Sequence, residues 1–246
     1  MNIVIKKYIH PRFGEIIITK KKGQRNIRLT VSLTKGVRVS IPYLTSFSSA
    51  EKFIKAKEEW ILSTIQKNRD KQLARIIPIG EGQKLQLVNS KVIYQQMSCR
   101  EKSMPGKILI RYLNEVTEVN LPQSCSKEAV LAATMVVIRR KAADYLPQRC
   151  KFLASENGFS YNKLFLKNNK TNWGSCSNKG NINLNIQLIR LKAELIDFVI
   201  LHELCHLKYH NHGTAFHNLL NKLCQGREKE LALQLKHEST CSLSVV

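Results

Sequence analysis

Residues 198 to 217 read FVILHELCHLKYHNHGTAFH, in which an apolar run leads into His202, Glu203 and His206. Residues four positions apart lie on one face of an α-helix, so the two imidazoles of this H-E-x-x-H pattern can hold one metal ion. The Glu203 side chain lies about 100° around the helix from His202. From there its carboxylate can take a proton from a metal-bound water without itself being a ligand. The stretch therefore predicts a helix that carries two metal ligands and a general base.

A catalytic zinc site also needs a third protein ligand and one open position. If the helix continues, His210 lies roughly 12 Å further along it than the first histidine, which is too far to share the ion. His212 can reach the ion only if the chain turns back after about Tyr209. Such a turn is available because Asn211 and Gly213 tolerate the left-handed conformations that end helices. We therefore favour His212, and the remaining candidates are, in order, Glu228 or Glu230 on a following helix, and His217.

Three blocks of sequence between residues 170 and 217 occur together and in order. They are WGSCS at 173–177, an N-x-N-L-N-like strand at 181–185, and HELCH followed by NHGTAF. In these blocks the chain resembles the YgjP-like zinc metallopeptidases, which are related to the SprT and WLM families. A looser likeness extends into the amino-terminal half through RNIRLTVS and VRVSIP. One departure is Asn172, where that family usually has an arginine.

The resemblance implies a zincin-like hydrolase with one catalytic Zn²⁺. By that likeness the zinc ligands are His202, His206 and His212, and the catalytic base is Glu203. The expected reaction is hydrolysis of a peptide bond in a protein or peptide substrate, by a zinc-bound water that the glutamate activates.

An extended substrate can bind in such sites as an additional strand along a sheet edge near the metal. We expect the NINLN strand to form that edge, with the WGSC segment in a loop close to the pocket. The residues predicted to line the substrate site are Trp173, Gly174, Ser175, Cys176, Asn183 and Asn185. Two of them have a simpler interpretation as well, since Trp173 can equally be a buried anchor for the loop and Cys176 a packing residue.

The whole chain has the composition of a globular protein, with 246 residues of which 43% are hydrophobic. Its first ten residues, MNIVIKKYIH, lack the uninterrupted apolar core of a signal peptide, and no stretch approaches the length of a transmembrane helix. Its seven cysteines form no C-x-x-C pair, which is typical of free thiols in a reducing compartment. We therefore expect a cytoplasmic protein with no membrane partner.

Forty lysines and arginines against eighteen acidic residues give the chain a net charge of +22. Such a charge attracts polyanions, so non-specific nucleic-acid binding through a basic surface is a candidate interaction. It supports an alternative function, either a basic nucleic-acid-associated binding protein with a structural zinc or a DNA-associated SprT-like protease. A structural zinc site favours four protein ligands and has no need of Glu203, so the sequence favours the peptidase.

The pattern along the chain predicts an α+β protein in two domains. Residues 1–122 form short alternating strands and one helix over about 50–69, which we interpret as a β-rich amino-terminal module with an antiparallel sheet. The strands at 83–121 are expected to pair with that sheet. Residues 123–246 form a zincin-like domain with the H-E-x-x-H helix and a small antiparallel sheet. In this domain Pro147 is expected to kink a long helix or start a second one, and the last residues are expected to fray.

Overall fold

A computed structural model of the protein has the mixed α+β architecture that the sequence predicts. The described residues are 4–33, 35–73, 76–97, 107–240 and 243–245. Within them the chain forms six α-helices and thirteen short strands. The backbone divides into two compact units, Met1–Ala74 and Arg75–Val246.

The first unit contains a four-stranded sheet followed by two helices. Its elements are β1 (Ile5–His10), β2 (Gly14–Lys21), β3 (Arg28–Ser32), β4 (Gly36–Pro42), α1 (Phe47–Ala56) and α2 (Glu58–Leu73). The strand order is β1-β2-β4-β3, and β2 pairs with β4 in parallel. The predicted antiparallel pairing is wrong for these two strands, because alternating apolar residues set the buried face of a strand but not its neighbour. The core of the unit includes Ile16, Ile18 and Val39 of the sheet and Ile54 and Ile61 of the helices.

Two helices replace the single helix that was expected over about 50–69. The first begins after Ser46, whose side-chain oxygen accepts a hydrogen bond from the Ser49 backbone N–H. This cap satisfies one of the donors left free at a helix start. The helical pattern is interrupted at Lys57, and the second helix begins at the next residue.

The second unit begins with the strands that were expected to join the first sheet. They are β5 (Ile77–Ile79), β6 (Lys84–Leu87), β7 (Ser90–Gln96), β8 (Leu109–Tyr112) and β9 (Val116–Leu121). The last four form a separate sheet in the order β6-β7-β9-β8, in which β7 and β9 are parallel. The predicted pairing with the first sheet is therefore wrong.

Helix α3 (Lys127–Glu156) runs for 30 residues and continues past Pro147, where the sequence predicted a kink or a second helix. Its residues Ala142, Leu146 and Cys150 are fully buried on both sides of the proline. Packing therefore supports the helix across the hydrogen bond that proline cannot make. Although α3 is long, no helix in the described ranges is apolar enough over a sufficient length to cross a membrane.

The division between the compact units differs from the domain boundary expected at 122–126. Val119 of the second sheet belongs to the same buried core as Val137 and Leu146 of α3. The change of pattern at 122–126 marks a transition from strand to helix inside one unit, because the two elements share that core. The chain instead divides between residues 74 and 75.

A three-stranded sheet and three helices follow α3 and position the candidate site. The elements are β10 (Leu164–Lys167), β11 (Gly174–Cys176), β12 (Ile182–Asn185), a 3-10 helix at Ile186–Arg190, α4 (Ala193–Cys205), α5 (Thr214–Leu223) and α6 (Glu228–His237). The sheet order is β10-β12-β11, with β10 parallel and β11 antiparallel to β12. The small sheet is therefore mixed rather than antiparallel. Its central strand is the NINLN segment that was expected at the edge, and the WGSC segment, expected to be a loop, forms the edge strand β11.

The carboxyl-terminal tail forms a strand where fraying was expected. This strand, β13 (Leu243–Val245), pairs in parallel with β5. Its pairing joins the end of the second unit to its beginning, which ties down a segment that is otherwise poorly held.

Candidate metal centre and the cavity beside it

Helix α4 carries the H-E-x-x-H residues and is buried along most of its length. Apolar residues from Leu195 to Leu204 belong to the core of the second unit. Core packing fixes the helix and therefore the directions in which its side chains point. The helix ends at Cys205, and His206 is its C-cap residue.

The segment after α4 turns back, as the sequence predicted, and returns His212 to the ligand face. The Tyr209 backbone N–H donates to the Cys205 carbonyl oxygen at 2.9 Å, which closes a last turn. Neither Asn211 nor Gly213 has a positive φ, and the φ of Gly213 is −84°. The reversal is therefore made without the left-handed residue that the sequence suggested for it.

The three histidines predicted as metal ligands lie together at the end of α4. Each offers one ring nitrogen, and these nitrogens lie within 4.8 Å of one another. The Nε2 atoms of His202 and His212 are 3.0 Å apart. The Nδ1 atom of His206 lies 3.1 Å from the Tyr209 carbonyl oxygen. A protonated Nδ1 donates to that carbonyl, which leaves Nε2 of the same ring for a metal.

This spacing fits a zinc ion. Zinc binds imidazole nitrogen at about 2.0–2.1 Å in tetrahedral geometry, so two such nitrogens on one ion lie about 3.3 Å apart. The observed separations, 3.0 Å for one pair and at most 4.8 Å within the group, bracket that value. The group found among the described residues has three ligands, which leaves a coordination position for water or substrate as in catalytic zinc sites.

Burial keeps the ligand rings in the form that binds a metal. Burial, followed by the charges of the neighbouring histidines, lowers the pKa of His202 to about 4. Burial also lowers the pKa of His206. A metal binds only the unprotonated ring nitrogen, so both rings are ready for ligation at neutral pH.

Phe216 of α5 packs against all three imidazoles and is fully buried. Its ring centroid lies 4.9, 4.7 and 4.7 Å from those of His202, His206 and His212. A side chain in contact with all three histidines restricts the rotamers that their rings can adopt. Sequence reasoning missed this role, because an apolar residue in an amphipathic helix predicts only core packing.

Glu203 is buried next to the histidines, with 6% of its surface exposed. Burial raises the pKa of its carboxyl to about 7, a value at which a carboxyl can both accept and return a proton near neutral pH. The carboxylate lies against Gly174 of β11, where an added Cβ would come within 2.7 Å of Glu203 Oε1. A glycine at this position therefore leaves the room that the carboxylate occupies.

The other candidates for third ligand lie outside the histidine group. His210 is exposed and does not join it. Oε1 of Glu228 lies 2.5 Å from Nδ1 of His217, so these two candidates form a pair with each other. Glu230 makes an ion pair with Arg227. The geometry therefore favours His212 over both glutamates and over His217.

A cavity of about 490 Å³ opens beside Glu203 and His202. Its apolar lining comes from Trp173, Phe198, Val199, Ala232 and Leu235, and its polar lining includes His217 and Glu228. Of the predicted lining residues, Trp173 and Gly174 are therefore at the cavity. The described lining does not include Ser175, Cys176, Asn183 or Asn185.

Comparison with known proteins identifies the family. The sequence matches the YgjP-like metallopeptidase domain over residues 25–238, which is most of the chain. The chain belongs to the YgjP-like metallopeptidases. This membership confirms the resemblance seen in the sequence, and it makes the chain a peptidase that works with a metal. No curated protein matches the chain.

The YgjP-like chain is also similar to a solved structure, the crystal structure of the metallopeptidase zymogen of Pyrococcus abyssi abylysin. The two are 20% identical, and the match covers 41% of this chain and 99% of that chain. The TM-score is 0.35.

Two of the three asparagines of the NINLN segment, Asn183 and Asn185, hold the WGSC segment of the YgjP-like domain in place. The buried side chain of Asn185 donates to the carbonyl oxygens of Asn169 and Asn172 at 2.8 and 2.9 Å. The Asn183 side chain donates to Ser175 Oγ at 3.1 Å. Asn185 therefore positions the segment that leads to Gly174, and Asn183 holds the residue that follows it. Their contact with substrate stays a prediction.

Cys176 lies on β11 near the carboxylate of Glu203. Burial, and then the charge of Glu203, raise the pKa of its thiol. A raised pKa disfavours the thiolate, which is the nucleophilic form of cysteine. The packing interpretation of Cys176 therefore fits its surroundings.

Asn172 occupies the position at which the resemblance seen in the sequence leads us to expect arginine. Its side-chain amide donates to the Gly174 carbonyl oxygen at 3.1 Å. The shorter residue thus supports the start of β11, and the positive charge of the expected arginine is absent from this position.

Proposed function

We propose that the chain is a zinc-dependent peptidase that hydrolyses peptide bonds with a water activated by Glu203. The observation that carries this proposal is the convergence of three histidine ring nitrogens within 4.8 Å next to a buried glutamate. The ligands would be His202, His206 and His212. When bound, the zinc would supply a Lewis acid that polarises water and the peptide carbonyl group.

The described residues provide the proton transfers of the reaction. The carboxylate of Glu203 accepts a proton from the attacking water, and the resulting carboxylic acid returns that proton to the leaving amine. In the metal-free protein, burial raises the pKa of this carboxyl to about 7. The Tyr209 carbonyl holds His206 in one tautomer, and Phe216 limits the motion of all three ligand rings.

The sheet edge nearest to the histidines offers a place for the peptide backbone. An extended peptide can add to an exposed strand through main-chain hydrogen bonds. We assign this role to β11 rather than to the NINLN strand, because β12 lies in the centre of the sheet and β11 is the edge strand that lies against Glu203. Gly174 at the start of β11 contacts the region of Glu203, so a peptide bound along this strand passes close to the general base.

The proposal is tested by measuring zinc content and peptide cleavage in the wild type and in Glu203→Gln. The variant keeps all three ligands, so we expect it to retain zinc. Loss of the general base should lower kcat by about 10²–10⁴-fold. A Glu203→Gln protein that retains both zinc and full activity would contradict the assignment of the base.

The charge of +22 favours a second candidate function, in which the peptidase associates with nucleic acid as a DNA-associated SprT-like protease. Binding that depends on phosphate contacts weakens steeply as the salt concentration rises. We would measure binding of duplex DNA at 50 and 200 mM salt. Weak, salt-independent binding would rule out this function and leave the peptidase assignment unaffected.

A further inference from the structure

We propose that the cavity beside Glu203 is a specificity pocket that binds a bulky apolar side chain of the substrate, from a residue adjoining the cleaved bond. The inference rests on the proposed peptidase function and adds a substrate preference to it. It follows from the lining of the cavity, its position relative to the site, and its size.

The inner wall of the cavity is apolar and is held by the core. Phe198 and Val199 of α4 are 5% and 3% exposed. Ala232 and Leu235 of α6 line the cavity as well, as does Trp173 from the segment before β11. Burial of an apolar group against such a surface is favourable, whereas an unpaired charged group would lose its hydration there.

The apolar wall lies one helical turn from the reacting groups. Phe198 precedes His202 by four residues, and Val199 precedes Glu203 by four residues. Residues four apart on a helix are neighbours on one face, about 6 Å apart along the axis. All four line the same cavity. A peptide whose carbonyl lies at the metal centre can therefore place an adjoining side chain into this space.

The size and the polar groups of the cavity agree with this use. A volume of about 490 Å³ falls within the ~300–1,000 Å³ of ligand-binding clefts. Besides His202 and Glu203, the polar lining consists of His217, Glu228, Lys236 and Glu238, and the first two of these are paired with each other. A bulky apolar side chain can therefore enter without leaving the carboxylate of Glu228 unpaired.

Cleavage of a peptide series tests the preference. Each peptide carries Phe, Leu, Ala or Asp at one position next to the cleaved bond, and the series is made for both sides of that bond. On one side we expect kcat/KM for Phe and Leu to exceed that for Ala and Asp by about 10–200-fold. Equal rates for all four residues on both sides would overturn the proposal.

Two substitutions on α6 provide a matched comparison. Ala232 and Leu233 are both exposed on this helix, but only Ala232 belongs to the described lining of the cavity. We expect Ala232→Phe to fill the pocket, to lower kcat/KM for the Phe peptide by at least about 10-fold, and to spare the Ala peptide. Leu233→Phe should leave the preference unchanged. Equal effects of the two substitutions would contradict the pocket.

A binding measurement separates failure of the pocket from failure of the proposed function. The chain has two tryptophans, Trp60 and Trp173, so Trp60→Phe leaves a single fluorophore in the cavity wall. In Trp60→Phe with Glu203→Gln, the Phe peptide should shift Trp173 emission at lower concentration than the Ala peptide. The added Ala232→Phe change should remove that difference. If the wild type cleaves no peptide, the peptidase proposal fails, but the binding comparison still tests the pocket. Equal binding of the Phe and Ala peptides would overturn the pocket.

Discussion

The three histidines of the proposed metal centre come from two regions of the chain, which hold them in different ways. His202 and His206 come from the end of α4, which core packing fixes, whereas His212 is exposed and lies between α4 and α5. The helix sets the first two ligands by its repeat. The third depends on a turn and on contact with Phe216. The comparison shows that one site can combine a rigid part with a part that relies on tertiary packing.

The largest effect should come from loss of a ligand on either side of this comparison. His202→Ala and His212→Ala should each weaken zinc binding by more than about 100-fold, because loss of a ligand exceeds the 10–100-fold typical of its supporting contacts. Zinc affinity is measured by competition with a chelator of known affinity. His210→Ala is the matched control, since His210 is exposed and lies outside the group of three histidines. The zinc affinity of this variant should equal that of the wild type. Equal losses for His210→Ala and His212→Ala would contradict the assignment of the third ligand.

The next effect tests the contact between β11 and the helix. Gly174→Ala places a Cβ 2.7 Å from Glu203 Oε1, so the carboxylate or the strand must move. A displacement near 1 Å can lower a catalytic rate by about 100-fold, and zinc content should remain unchanged. Gly213→Ala is the control, because no atom lies within 4 Å of a Cβ at that position. Steady-state kinetics on one peptide would check both variants, and full activity in Gly174→Ala would show that the contact is unimportant.

A smaller effect tests the packing that holds the exposed ligand. Phe216→Leu shortens the side chain that contacts all three imidazoles, and we expect zinc affinity to fall by about 10–100-fold. Leu220→Val on the same helix is the control, because Leu220 is a second buried apolar residue of the same core. It should lower the free energy of unfolding by about 1 kcal/mol and leave zinc affinity unchanged. The same affinity in both variants would mean that Phe216 serves the core alone.

The last prediction concerns the stability of the metal-free protein. Burial raises the pKa of Glu203 from its ordinary 4.5 to about 7. Between these two pH values the Glu203 carboxyl is ionised in the unfolded state but remains largely protonated in the folded state. The folded protein should lose stability as the pH rises from 4.5 through 7. Gln cannot ionise, so Glu203→Gln does not show this loss of stability. In the presence of a chelator, the free energy of unfolding of the variant should exceed that of the wild type by about 3 kcal/mol at pH 8 and by little at pH 4. Urea unfolding at both pH values checks this, and a difference independent of pH would contradict it.

The part of the site on α4 could be predicted from the sequence, because its geometry depends only on residues close together in the chain. The spacing of His202 and His206 requires only a helix, and the same spacing places Glu203 beside them. The residues Asn211 and His212, which follow a few positions later, indicated a chain reversal, and the structure contains that reversal. Its backbone conformation was not predicted correctly, because Gly213 was expected to provide a left-handed residue and does not.

Features that depend on distant parts of the chain were not accessible. The contact of Phe216 with the imidazoles requires α5 to pack against α4, and no local pattern encodes that packing. The order β10-β12-β11 places a loop-like segment at the edge and the alternating NINLN strand at the centre. Alternation predicts a strand and its buried face, but it does not choose a neighbour. For the same reason the parallel pairs and the division at residues 74–75 were missed.

A structure of the zinc-loaded protein, with anomalous data at the zinc edge, tests the central claim most directly. We predict one ion within about 2.0–2.1 Å of a ring nitrogen from each of His202, His206 and His212. The Glu203 carboxylate should face the remaining coordination position without binding the ion. An ion held by Glu228 in place of His212, or a Glu203 side chain turned away from the open position, would contradict the account.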